Sequence, residues 1–202
     1  FQEARKGKDN PYRDFYYWRP GKDGGPPNNW RSFFSGSAWE LDPASGEYFL
    51  HLFSRRQPDL NWENPRLRQE VYKLMRFWLD KGVDGFRMDV IPLLSKDLSF
   101  ADKDWDELGG DHGRAYANGP RVHEFLREMN EQVLSRYEGV SIGEGIGVSK
   151  EEANDYVGEG RDELDMIFHF GHMFIDHGKE GRYDPRSFGR EEFTGVFESW
   201  EA

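Results

Sequence analysis

Two carboxylates, Asp89 and Glu144, each stand at the end of a short apolar segment with the pattern of a β-strand. In the segment from Gly85 to Val90, alternation places Arg87 and Asp89 on the same face. An adjacent arginine favours the ionised form of a carboxylate, which is the form that a nucleophile or a base requires. Arg87 and Asp89 are also compatible with a purely structural ion pair, and Glu144 alone with a solvated strand end.

The elements that must position these carboxylates alternate between helix and strand from residue 64 onward. Asn64 can cap a helix that begins at Pro65 and ends near residues 80–82. The pattern predicts three strands at residues 83–90, 140–144 and 164–170, and two further helices at residues 120–135 and after Ser149. The apolar faces of the first two helices are predicted to contain Leu67, Val71, Leu74 and Trp78, and then Val122, Phe125, Met129 and Val133.

This alternation predicts parallel strands joined by crossover helices. The carboxyl ends of parallel strands lie at one edge of a sheet, so Asp89 and Glu144 are expected to be neighbours. A separation of about 5 to 5.5 Å would suit a retaining glycosidase, in which one carboxylate attacks the sugar and the other protonates the leaving oxygen. The pair is therefore more informative than either residue alone.

Residues 1–60 have a different composition, which is rich in Gly, Pro, Asn and aromatic residues and contains frequent turn signals. Two short strands are predicted there, at residues 15–18 and 48–53. Long helices are not expected. This part of the chain is predicted to be a small irregular β-rich subdomain, distinct from residues 61–202.

Composition excludes several classes of function. The formal charge of −11 argues against binding to a phosphate backbone, which needs clustered Lys and Arg. No apolar run reaches the roughly 18 residues that a membrane span requires. An aromatic content of 16% does not fit a disordered tail. The absence of cysteine suits a cytoplasmic protein without excluding an exported one. We therefore expect neither a nucleic-acid nor a membrane partner, and the oligomeric state is left open.

Three motifs, in order and spacing, resemble the oligo-1,6-glucosidase group of the α-amylase superfamily. They are QPDLN at residues 57–61, GFRMDV at residues 85–90 and GE at residues 143–144. The resemblance extends over almost the whole chain through residues 8–14, 35–39 and 118–120. It departs from the pattern at GEGIG, residues 143–147, where many relatives have GEMPG, and at FGHM, residues 170–173, where many have FEHM.

The resemblance implies an α/β fold, with residues 61–202 forming part of a (β/α)8 barrel, about strands 4 to 6. Residues 1–60 would be the subdomain inserted after the third strand. A third acid with its neighbouring His would lie beyond Ala202, and a glucose-binding His before Phe1. The chain is therefore expected to be an incomplete barrel that is inactive alone.

The resemblance also assigns roles to matching residues. Asp89 would be the nucleophile, Glu144 the acid and then the base, and Arg87 the residue that orients Asp89 and keeps it charged. Phe53, Gln57 and Phe34 resemble positions that line a glucose pocket. Core packing would explain the two phenylalanines, and a loop hydrogen bond would explain Gln57, equally simply.

Val90 directly follows the nucleophile. At this position the chain resembles relatives that prefer α-1,6 links, whereas relatives that prefer α-1,4 links often have the smaller Ala. The implied activity is a retaining, exo-acting α-glucosidase that hydrolyses short α-glucosides, with a lean to α-1,6 links. A transglucosylase or sucrose isomerase would use the same covalent intermediate. A non-catalytic relative that binds carbohydrate or assists assembly is a further alternative, which the presence of both Asp89 and Glu144 disfavours.

No cofactor is expected. His112, His123, His169 and His172 have no metal-ligand spacing with nearby carboxylates. Asp102, Asp104 and Asp106 begin like a calcium loop, but Glu107 stands where that loop needs Gly, so a solvated acidic loop is favoured.

Overall fold

A computed structural model describes residues 1–178 and 181–201. The chain divides into two compact units. The first contains residues 1–75 and 97–103, and the second contains residues 76–96 and 104 onward. The predicted boundary between a subdomain of residues 1–60 and residues 61–202 was based on amino-acid composition, and it stays a prediction.

Short antiparallel strands characterise the first unit. Strands β1 (Trp18–Arg19), β2 (Trp39–Asp42) and β3 (Glu47–Leu50) form a sheet in the order β1-β3-β2. The second predicted strand therefore exists but is shorter. Strand β1 begins later than predicted because a 3-10 turn, Arg13–Phe15, occupies the start of the predicted segment. Strand β2 was not predicted.

Helix α1 (Pro65–Leu79) begins where the sequence predicted. The Asn64 side chain accepts a hydrogen bond of 2.9 Å from the Arg66 N–H and thereby caps the helix. The predicted apolar face is partly wrong, because Leu74 and Trp78 are 57% and 46% exposed. The side chains that are buried are Leu67, Tyr72, Met75 and Leu79. The buried face of α1 is thus shifted by about one residue from the predicted face. A mixed pattern of aromatic and aliphatic residues does not specify which of two adjacent faces is buried.

The second unit contains the predicted parallel sheet. Its strands are β4 (Gly85–Met88), β5 (Val140–Glu144) and β6 (Met166–Phe168), in the order β4-β5-β6. Helices α2 (His112–Tyr116) and α3 (Val122–Gln132) lie between β4 and β5 in the chain, and α4 (Lys150–Val157) lies between β5 and β6. Parallel pairing with helical crossovers is thus confirmed. Helix α2 was not predicted.

Helices α3 and α4 match the sequence closely. All four apolar residues predicted for the face of α3, Val122, Phe125, Met129 and Val133, are buried. Ser149 and Glu152 form a capping box at the start of α4, with reciprocal side-chain to backbone hydrogen bonds.

The remaining described strands and α-helix are β7 (His177–Gly178), β8 (Gly181–Pro185) and α5 (Arg190–Glu201). The sequence analysis assigned none of these. In the described part of the chain, no helix combines the length and apolar character that a membrane crossing requires.

Candidate active site

The register of β4 and β5 brings the two carboxylates to the same edge of the sheet. Met88 lies opposite Gly143, so the next residue on each strand is a carboxylate, Asp89 and Glu144. Gly85 permits this close pairing, because a Cβ on Gly85 would lie 1.9 Å from the Val140 carbonyl oxygen.

Arg87 joins the two carboxylates. One guanidinium nitrogen, Nη1, contacts Asp89 Oδ1, and the other, Nη2, lies 2.8 Å from Glu144 Oε2. The predicted contact between Arg87 and Asp89 is therefore present. The contact with Glu144 was not predicted, because alternation along one strand gives no information about partners on the next.

The two carboxylates have very different surroundings. The Asp89 side chain is 77% exposed, whereas the Glu144 side chain is only 11% exposed. The pKa of Asp89 is lowered from its ordinary value by a hydrogen bond with Glu144 and then by the Arg87 guanidinium. The pKa of Glu144 is raised, first by burial and then by the hydrogen bond with Asp89. The surroundings therefore favour the ionised form of Asp89 and the protonated form of Glu144.

This division is what a pair of catalytic carboxyl groups needs. In its ionised form Asp89 could act as a nucleophile, and in its protonated form Glu144 could donate a proton to a leaving oxygen. Two titratable groups whose environments push their pKa values apart identify acid and base roles more strongly than either group alone.

Val90 departs from the predicted strand. Its backbone adopts the left-handed conformation, with φ 40° and ψ 43°, and a 3-10 turn (Ile91–Leu93) follows directly. The strand prediction through residue 90 is wrong because pairing stops at Met88. The Val90 N–H donates a hydrogen bond of 3.0 Å to Glu144 Oε2. Sequence gave no signal for this contact, since valine rarely adopts a positive φ.

The chain matches the alpha-amylase catalytic-domain model over residues 1–202. It belongs to the alpha-amylase family. The oligo-1,6-glucosidase of Parageobacillus thermoglucosidasius is 54% identical over the whole chain, which spans 36% of that relative. The trehalose-6-phosphate hydrolase of Bacillus subtilis is 45% identical, again over the whole chain and 35% of the relative.

Solved structures of similar proteins agree with this result. A mutant isomaltulose synthase from Erwinia rhapontici, in complex with D-glucose, superimposes with a TM-score of 0.95 at 41% identity. The match covers 99% of this chain and 36% of that one. The expected (β/α)8-barrel fold class is thus confirmed. The chain spans about a third of the length of the curated relatives that it matches.

Phe34, Phe53 and Gln57 lie in the first unit. These are the residues for which the resemblance implied a glucose pocket. Phe34 is exposed and meets Phe53 edge to face, with ring centroids 5.8 Å apart. Phe33, which the sequence analysis did not single out, stacks on Phe53 at 4.7 Å. Gln57 is also exposed, and its side-chain oxygen accepts a hydrogen bond from the Ser54 N–H. Phe34 is therefore not a core residue.

The four histidines considered above as metal ligands have local partners. His123 Nδ1 lies 2.7 Å from the buried Glu163 carboxylate, and His169 Nδ1 accepts a hydrogen bond from the Gly171 N–H. His112 lies beside Trp105, and His172 lies beside Phe197. Across residues 1–178 and 181–201, no group of three or more His, Asp or Glu is arranged to hold a metal ion.

Proposed function

We propose that this chain carries the catalytic pair of a retaining α-glucosidase that hydrolyses short α-glucosides. The observation that carries the proposal is the Arg87 guanidinium in contact with two carboxylates, Asp89 and Glu144, whose pKa values move in opposite directions. A structural ion pair at a strand end has no need for a second carboxyl group with a raised pKa. Hydrolysis through a covalent intermediate needs both.

The reaction follows from these two states. Asp89 attacks the anomeric carbon and forms a glucosyl ester, while the bond to the leaving oxygen breaks and Glu144 donates its proton to that oxygen. The resulting Glu144 carboxylate then removes a proton from water, and the water oxygen attacks the same carbon. This second displacement breaks the ester and regenerates ionised Asp89. Arg87 keeps Asp89 ionised between turnovers, and two inversions at one carbon give net retention.

The finer assignments belong to the same proposal. Strands β4, β5 and β6 would be strands 4 to 6 of the barrel, and residues 1–60 the inserted subdomain. Phe34, Phe53 and Gln57 would contribute to the glucose pocket. The exposed Phe34 ring supports this role, because sugar faces bind to accessible aromatic rings rather than to rings in a core.

An α-1,6 preference is the proposed specificity. Several relatives that are 50% to 54% identical to this chain over the aligned residues are named oligo-1,6-glucosidases, and Val90 has a branched side chain beside the nucleophile. The full-length protein, meaning the gene product that contains residues 1–202, is expected to hydrolyse isomaltose faster than maltose. Val90→Ala should move the ratio toward maltose. A parent enzyme already faster on maltose would end the linkage proposal and leave the α-glucosidase proposal intact.

The nucleophile assignment is tested with Asp89→Asn in the full-length protein. Turnover should fall by at least about a thousandfold, since no carboxylate remains to form the ester. Asp84→Asn, an exposed carboxylate before the same strand, is the matched control and should retain turnover. Mass spectrometry of the parent enzyme with a slow fluorinated α-glucosyl substrate should locate a covalent adduct on Asp89. Near-normal activity of Asp89→Asn, or an adduct elsewhere, would refute the assignment.

A transglucosylase or sucrose isomerase is the second candidate. The observation that favours it is the TM-score of 0.95 to an isomaltulose synthase and 0.94 to a trehalulose synthase. Product analysis with sucrose separates the two candidates. Equimolar glucose and fructose indicate hydrolysis, whereas an isomeric disaccharide indicates that a sugar hydroxyl, rather than water, resolves the intermediate.

A further inference from the structure

The backbone of Val90 makes a hydrogen bond in which its side chain takes no part. Its N–H group lies 3.0 Å from Glu144 Oε2. The pairing of β4 with β5 ends at Met88 and Gly143, so this N–H lies beyond the paired residues of the sheet. It is directed instead at the carboxyl group of the neighbouring strand.

The conformation at Val90 is costly. A β-branched residue at positive φ is an outlier, because its side chain crowds the backbone in the left-handed region. Such conformations occur where the surrounding structure enforces them, often at active sites. Here the left-handed residue ends the strand and opens a 3-10 turn in which Leu93 N–H donates to the Val90 carbonyl. The turn therefore holds the Val90 peptide in place.

We propose that Val90 is a positioning residue whose backbone N–H, presented by the strained turn after β4, fixes the orientation of the Glu144 carboxyl group. This inference rests on the proposed function, in which Glu144 is the acid and base. It gives Val90 a role that is separate from the linkage preference of its side chain.

The other groups around Glu144 define what the N–H adds. Arg87 and Asp89 are the charged groups that contact Glu144 from β4, and on β6 the residue paired with Glu144 is Phe168. Arg87 Nη2 and the Val90 N–H both bind Oε2. Because the Arg87 guanidinium and the Val90 N–H both approach Oε2, Oε1 is left to carry the proton. Loss of the N–H would let the carboxyl group rotate about its terminal bond.

The test replaces the Val90 amide by an ester in the full-length protein, using α-hydroxyisovaleric acid at residue 90. This change deletes the N–H and keeps the side chain. A hydrogen bond to the ionised form lowers the pKa of an acid, so its loss should move the basic limb of the pH profile of kcat/KM to higher pH. Turnover of substrates with poor leaving groups should fall by about tenfold.

Two controls separate this effect from a structural one. The same ester at Leu94 deletes a backbone hydrogen bond to Ile91 in the same turn and should leave the basic limb in place. Val90→Gly keeps the N–H and favours the left-handed conformation, so it should change the linkage ratio without moving the limb. A basic limb unchanged by the residue 90 ester would overturn the inference. If Glu144→Gln retained the limb, the acid assignment itself would fail.

Discussion

Arg87 binds two carboxylates with opposite tasks through the two nitrogens of one guanidinium group. The planar fork suits this arrangement, since its donors are held at a set spacing. Asp89 and Glu144 also share a hydrogen bond that favours charge on Asp89 and a proton on Glu144. At the scale of single residues, the site therefore consists of three groups whose charges influence one another, rather than of one ion pair beside an independent carboxyl group.

Removal of the cation should shift the whole pH profile in one direction. Arg87 lowers the pKa of both carboxyl groups. In Arg87→Met both pKa values should therefore rise. Activity is lost as pH falls through the pKa of Asp89 and as pH rises through that of Glu144, so both limbs of kcat/KM should move to higher pH. Because the groups are coupled, the limbs describe the pair.

The control for Arg87→Met is Arg186→Met, which removes another exposed arginine that pairs with a carboxylate, Glu192. Its pH profile should match that of the parent enzyme. Limbs that stay in place in Arg87→Met, or that move to lower pH, would contradict the proposed role of the guanidinium.

Glu144 can be examined through the leaving group. Glu144→Gln cannot donate a proton, so hydrolysis of natural disaccharides should fall by at least about a hundredfold. Aryl glucosides with acidic phenols need little protonation at departure, and their first step should be much less affected. Burst kinetics with both substrate types measure this difference. Equal losses on both would contradict the acid role.

At the scale of elements, the contact between β4 and β5 depends on Gly85. Its φ of 144° and the 1.9 Å that a Cβ would leave to the Val140 oxygen admit no other residue without movement of a strand. Gly85→Ala should therefore destabilise the full-length protein by about 3 kcal/mol and reduce kcat by displacing Asp89. Thermal unfolding and initial rates measure the two effects.

Gly195→Ala is the opposite control. Gly195 lies within α5, where an added Cβ would meet no atom within 4 Å. Alanine should stabilise this helix by up to about 1 kcal/mol. A neutral Gly85→Ala would show that β4 can separate from β5 without cost, so that the pairing of the two strands would not depend on Gly85.

The elements that the sequence predicted well are those with local signals. Asn64 before Pro65 and the Ser149–Glu152 capping box define helix starts within four residues, and the α3 face follows a single period. Helix α2 has five residues, too few to show a period. In α5, Gly195 interrupts an otherwise helical segment and weakens its signal.

Within the candidate site, too, only the contacts with a local sequence signal could be predicted. Alternation along one strand was enough to place Arg87 beside Asp89. The contacts of Glu144 with Arg87 and with the Val90 N–H depend on the register between two strands that are distant in sequence, and register is a tertiary property. The left-handed conformation of Val90 runs against its intrinsic preference, so no local pattern could have indicated it.

At the scale of the whole molecule, many large apolar side chains of the second unit are exposed. They include Phe77, Trp78, Val140, Met166, Phe168, Phe193 and Phe197. The described sheet of three parallel strands also has two outer edges, on β4 and β6. Parallel sheets are normally covered on both faces, and open edges promote association between chains.

Residues 1–202 expressed alone should therefore aggregate or bind hydrophobic dyes, and they should not hydrolyse an aryl α-glucoside. The full-length protein is the reference for both measurements. A soluble monomer of residues 1–202 with clear turnover would refute the expectation.

The parallel register of β4 and β5 has a consequence for the order of folding. Asp89 and Glu144 become neighbours only when the long crossover that contains α2 and α3 has closed. Pairing over such a separation is slow compared with helix formation, because the entropy of loop closure opposes it before any strand contact is made. On dilution of the full-length protein from denaturant, helical circular dichroism should return first. Hydrolysis should return later, because it requires this pair of strands to have closed.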